Sequence, residues 1–146
     1  MLLEQIEQRL EAIQFEGKAL FSGVDQVIDP QTIVDANTVK KDAAFVVPVS
    51  DGAEPNERTT GRFSQLMRPR FGVLIVCRAV NDRMGKGVTK RLEFMKQQIR
   101  AALMGWTPDA NYEPITLVEG NLLEFKRGGV FWMEEYVTET MYEGQS

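Results

Sequence analysis

The unbroken apolar run from Phe71 to Cys77, within FGVLIVCRAV, limits this chain more than any other feature. A strand covered on one face alternates apolar with polar residues. An uninterrupted run needs cover on both faces, so this segment is read as the central strand of a sheet. The one cysteine of the chain, Cys77, lies inside it and is expected to be a buried, inert thiol.

Two amphipathic helices are expected to provide cover. Leu3, Ile6, Leu10 and Ile13 recur at spacings of three and four, with Glu4, Glu7, Gln8 and Glu11 between them, which predicts a helix from Leu2 to Ile13 with Gly17 as a breaker just beyond. Val88, Leu92, Met95, Ile99 and Leu103 predict a longer one. Lys90, Arg91, Glu93, Lys96, Gln97 and Arg100 take its other faces. Gly105 can end it in a left-handed cap and Pro108 prevents resumption, while Trp106 is expected to pack back over the last turn.

The remaining segments read as strands and loops. KALFSGVDQVIDPQTIVDANTVKKD lacks periodicity and is taken as a short strand and loops, a segment that could order against a neighbouring subunit. AAFVVPVSD is a strand in which Pro48 must sit at an edge or a bulge. DGAEPNERTTGR, residues 51–62, is an exposed excursion between strands, and FSQLMR is a short strand parted from the central run by Pro69 and Arg70. PITLVEGNLLEFK and GGVFWMEEYVTETMY form a hairpin turning near Arg127, Gly128 and Gly129. Alternation puts Phe131, Met133 and Val137 on one side of the last strand and Trp132, Tyr136 and Thr138 on the other. The order predicts an α+β fold: a single mainly antiparallel sheet, open to mixed pairing, with two helices packed on one face. The opposite face must be polar or covered, and a neighbouring molecule could cover it.

Composition removes several functions. The chain has no histidine, so Ser–His–Asp, Cys–His and His-based zinc sites are excluded. A net charge of −4, from 21 acidic against 17 basic residues, argues against a dedicated nucleic-acid binder. No basic segment followed by an apolar stretch opens the chain, and no run approaches the ~20 apolar residues of a membrane span. A soluble chain, folding in the cytoplasm without contact to a membrane, is expected.

The motifs that tempt a catalytic reading are weak. MGKGVTK follows a strand and opens a helix, as a phosphate-binding loop would, but Val80 stands where the first glycine is required and Gly87 where a Ser or Thr is. A basic turn before a helix is the favoured reading. Glu134 and Glu135 are neighbours on a strand and so point to opposite faces. Asp25, Asp29 and Asp35 match no calcium-loop pattern, though an acidic interface patch aided by a divalent cation stays open. Bases gather in two groups. Arg58, Arg62, Arg68 and Arg70 flank the excursion, and Arg83, Lys86, Lys90 and Arg91 open the long helix. The second group opposes the helix dipole, which points to a use beyond folding, in partner docking or contact with passing DNA. No enzyme activity, cofactor or metal is expected.

ITLVEGNLLEFKRGGVFWMEEYVTET resembles the closing strands of bacteriophage tail terminator proteins, and LLEQIEQRL, FGVLIVCRAV and VTKRLEFMKQQIRAALMGW fit the family's element order. The resemblance implies one tail-terminator-like domain over 1–146, without catalytic residues. It implies a structural part of the virion tail, assembled in the host cytoplasm. That part is a homo-oligomeric, hexameric ring that caps the tail tube, ends tube polymerisation and offers a surface for head joining. Its partners would be further copies of itself, the tail tube protein and head–tail connector proteins, with DNA passing through the lumen unbound. A mobile strand connection would reach the tube, which selects Glu54, Asn56, Glu57, Arg58 and Arg62. Trp132, Tyr136, Arg83 and Lys86 are the candidates for contact between subunits. Another head–tail connector or neck protein is the nearest alternative. A small nucleotide-binding enzyme using Gly85 to Gly87 is the more distant one.

Overall fold

The computed structural model describes residues 1–36, 39–56, 60–79, 85–126 and 128–144. The central run does become the middle of a sheet, but as part of a longer strand, β5 (Ser64–Ala79), which passes straight through Pro69 and Arg70. Pro69 lies opposite Asp51 of β4 (Ala43–Ala53) in the antiparallel ladder, and it is tolerated because its missing N–H points away from β4, on the side where its carbonyl accepts from the Thr138 N–H at 3.2 Å. The two segments read as separate strands are therefore one. Pro48 falls at a register shift between Pro48 and Ser50, beyond the reach of β3 (Val24–Gln26), which pairs in parallel with Ala44 to Val46 only. Its missing N–H thus faces no ladder partner.

The other flank of β5 pairs with β7 (Gly128–Val137), and β7 pairs with β6 (Thr116–Lys126), giving the order β3-β4-β5-β7-β6. The last strand is not continuous. It breaks at Thr138 and Glu139 and resumes as β8 (Thr140–Glu143), which pairs with Ser64 to Met67 of β5. The sheet is mixed only through β3.

Helix α1 (Leu2–Glu11) and helix α3 (Lys86–Leu103) pack on one face, as the periodicity requires. Ile6 and Leu10 of α1 join Val88, Leu92, Met95, Ile99 and Leu103 of α3 over Phe71, Val73, Ile75 and Cys77. Gly105 takes φ 82° after α3, and its N–H donates to the Ile115 carbonyl at 2.8 Å, which fixes the exit toward β6. Trp106 packs against this core, with the Arg9 guanidinium 4.9 Å above its ring. Cys77 is fully buried with its sulfur 3.3 Å from that of Met95. Burial pushes its thiol up to about 12, so the inert reading stands.

Between α1 and β3 lies a small hairpin of β1 (Gln14–Phe15) and β2 (Lys18–Ala19), whose turn is Glu16 and Gly17 at φ 52° and 79°. Phe15 meets Phe94 of α3 edge-on at 4.8 Å.

Part of the opposite sheet face is covered by the chain itself. A short helix, α2 (Pro30–Val34), stands in the stretch read as strand and loops. Val27, Ile33, Val34 and Val39 cover Phe45, Val47, Leu74, Val76 and Phe131. Asp29 caps α2 by accepting from the Gln31 N–H at 3.0 Å, with Pro30 at the first helical position.

Candidate functional site

The excursion between β4 and β5 is shorter than the sequence suggested, because Asp51 to Ala53 are paired with Pro69, Arg68 and Met67. Its two ends are tied down. The Glu54 carboxylate pairs with Arg68, whose Nε donates to Glu139 at 3.0 Å, and the Glu54 N–H donates to the Leu66 carbonyl at 2.9 Å. At the far end the Arg62 Nε donates to the Gly144 carbonyl at 2.7 Å. Glu54 and Arg62 thus root the excursion, and Asn56 is exposed beyond the root. Glu57 and Arg58 lie outside the described residues, as does Arg83.

β8 continues from this root. It exposes Met141 and Tyr142, and Phe63 meets Tyr142 edge-on at 6.2 Å. Met141, Glu113, Glu139 and Glu143 line an open hollow of about 940 Å³. The Thr138 hydroxyl, which donates to the Glu113 carbonyl at 2.6 Å, holds one wall.

Farther along the strands, α3 and β6 leave a second, mostly apolar groove of about 250 Å³ between Val88, Leu92, Leu122, Phe125, Val130 and Trp132. Leu122 and Phe125 are 54% and 41% exposed, on the free edge of the sheet. Glu93 and Lys96, paired with each other at 2.5 Å, also line it, and Lys86 and Lys90 stand exposed on the first turns of α3. Gly85 is buried, with the Phe125 ring where its side chain would be, and its carbonyl accepts from the Thr89 hydroxyl at 2.6 Å. Residues 80–84, which precede Gly85 in the turn, lie outside the described residues.

Trp132 and Tyr136 lie on the helix-facing side of β7, as alternation predicts, but they differ in exposure. Tyr136 is fully buried, stacked on Phe71 at 5.5 Å, and offers no surface to another subunit, which corrects that expectation. β7 is an internal strand, so both sides of its ladder are taken. The exposed apolar residues of the hairpin belong to β6 instead. Trp132 is half-buried, and the Lys96 ammonium sits 4.0 Å above its ring.

Glu134 lies between these two aromatics and is also fully buried. Its carboxylate receives Arg100 of α3 in a two-point pair, at 2.6 and 3.0 Å, and the Trp132 indole N–H at 2.9 Å. The hydrogen bond to Glu134 holds the Arg100 guanidinium above its ordinary pKa. Burial first, then the Glu134 carboxylate, pushes the Tyr136 phenol well above its usual range. Sequence reasoning missed this cluster. Its signal was a carboxylate on the same alternating stripe as Trp132 and Tyr136, which demands a cation from the facing helix. Glu135, on the other face, stands 3.8 Å from Arg70.

Gly120 of β6 makes room for the pair. A Cβ there would lie 2.2 Å from Glu134 Oε2 and 3.0 Å from Trp132 Nε1. Gly120→Ala is expected to cost about 1–3 kcal/mol by overpacking. Urea unfolding checks it, and a midpoint equal to that of the parent chain would show that the cluster yields freely.

The three aspartates once considered for a cation each serve the backbone or a neighbour. Asp25 accepts from the Gln26 N–H at 2.8 Å, Asp29 caps α2, and Asp35 accepts from the Gln31 amide at 2.8 Å. Among the described residues no helix is long and apolar enough to cross a membrane.

No curated protein matches the sequence. The family model described as Phage tail terminator protein matches residues 2–145, nearly the whole chain. This is a structural family, and the chain belongs to the phage tail terminator proteins, components of the virion that complete its tail.

Proposed function

We propose that this protein caps the tail tube as a ring, hexameric as the resemblance implies, ends tube polymerisation and presents a surface for head joining. The observation that carries the reading is the pair of separate exposed apolar surfaces, one on β6 beside α3 and one on β8. A ring needs two different patches on each subunit, one meeting the other on the next copy. The excursion, rooted by Glu54 and Arg62, reaches the tube protein through Asn56, Glu57 and Arg58. Lys86, Arg83 and Trp132 belong to the contact between subunits. The net charge of −4 suits a lumen through which DNA slides without being held. Assembly takes place in the host cytoplasm.

Tails from phage carrying a stop codon in this gene test the proposal. Overlong or uneven tubes without heads, corrected by adding the purified chain, are expected under negative stain. Tubes of normal length already joined to heads in the mutant lysate would refute it.

A further inference from the structure

β8 holds the far end of the excursion while burying almost nothing of itself. β7 pairs with β5 from Arg70 to Ala79, and β8 takes the same flank of β5 at Ser64 to Met67. Residues 141–143 are exposed, and no residue of β8 belongs to either apolar cluster. Its hold is therefore the ladder, continued by the Gly144 N–H, which donates to the Phe63 carbonyl at 2.9 Å, and by the edge-on contact of Tyr142 with Phe63. The Arg62 Nε fastens the excursion to this strand through the Gly144 carbonyl. The near end is fastened otherwise. The Glu54 N–H donates to the Leu66 carbonyl, and the Gln65 amide donates to the Glu54 carbonyl at 2.7 Å, neither bond involving β8. The lead into β8 is pinned as well. The Thr138 hydroxyl donates to the Glu113 carbonyl, Glu139 meets Arg68, and the Thr140 hydroxyl donates to the Asn111 carbonyl at 2.6 Å. The strand can thus part from β5 only beyond Thr140.

We propose that residues 141–144 form a latch: paired with β5 they fix the far end of the excursion to the sheet, and they release it without unfolding the domain. Segments that open at low cost are those with few buried apolar contacts, and β8 has none in the core. Release frees Arg62 and Phe63, whose ties run to Gly144 and Tyr142, and leaves Glu54 on Leu66 and Gln65. The excursion then hangs from its near end alone. Under the proposed function β8 is also a contact surface, so whatever meets it would set the latch. That consequence rests on the ring reading, whereas the latch is a property of the single chain.

Trypsin cleavage after Arg62, timed by mass spectrometry on the purified full chain, tests the latch apart from any tail phenotype. Amide exchange at Glu54 is read beside it. Bonded residues alternate along an antiparallel pair, and Gly144 is bonded, so the Tyr142 N–H also faces β5. Tyr142→Pro removes that donor. Cleavage after Arg62 is expected to rise on the order of tenfold, the scale of losing one hydrogen bond to a charged group. Exchange at Glu54 and the thermal unfolding midpoint should stay at the parent values. An unchanged cleavage rate overturns the latch, because the far end is then held without β8. Exchange at Glu54 that rises in step overturns it too, since the loosening would be general. Where Tyr142→Pro does not fold, Gly144→Val decides. A Cβ there would lie 3.0 Å from the Phe63 Cβ, so it crowds the same contact and leaves the ladder donors in place. Faster cleavage after Arg62 in that chain upholds the latch, and a parent-like rate overturns it.

Discussion

Replacing Arg100 with methionine should lower the unfolding free energy by about 3 kcal/mol, toward the low end of the cost of leaving a buried charge without its partner, because Arg100 itself is partly exposed. Glu134 has no exposed surface, and its carboxylate receives the guanidinium at two points and the Trp132 indole. Methionine has nearly the length of the arginine stem but no charge, so packing on α3 is kept and the buried carboxylate loses its counter-ion. Adding Glu134→Gln to the Arg100→Met chain should recover most of the loss, because an amide needs no counter-ion and can still accept from Trp132. Urea unfolding of the four chains forms the double-mutant cycle. Additive effects, with no recovery in the double variant, would mean that the pair does not hold α3 to β7.

Tyr136→Ala should cost a similar ~3–5 kcal/mol, through loss of a large buried ring and the cavity it leaves. The ring is fully buried and stacks on Phe71 with planes 16° apart. Tyr136→Phe keeps the ring and loses only a hydroxyl 3.5 Å from Glu134, at the limit of a hydrogen bond, so it should cost under about 1 kcal/mol. A phenylalanine variant as unstable as the alanine one would move the weight from the ring to the hydroxyl. Both variants bear on assembly only through folding, since Tyr136 has no surface to offer a neighbour.

The contrast between Trp132 and Tyr136 shows how far the residues could be read in one dimension. Alternation along β7 correctly divides Phe131 and Met133 from Trp132 and Tyr136. It cannot tell that Tyr136 lies under Phe71 while Trp132 stands at the rim of a groove, because depth depends on how far α3 extends over the strand. α2 was within reach of sequence reading. Asp29 followed by Pro30 is a helix start, but five residues are too few to show a period. Pro69 parts β5 in the sequence because proline is expected to break a ladder, and its partner Asp51 stands where strand and excursion meet. The Glu134–Arg100 pair joins residues 34 positions apart on different elements. The long-range facing of Leu122 and Met141 toward water likewise depends on which strand became the edge.

By itself, the sequence determined the two long helices and the buried faces of the periodic segments, because periodicity of 2 or 3.6 is a local consequence of backbone geometry. It determined the central strand, whose unbroken apolar run has no other stable place, and it removed histidine chemistry outright. Tertiary structure decided the strand order, the cover that α2, Val27 and Val39 give to part of the second sheet face, and which aromatic is core. Those outcomes depend on contacts between residues far apart in the chain, where burial and charge pairing are set by the whole packing and not by any one segment's pattern.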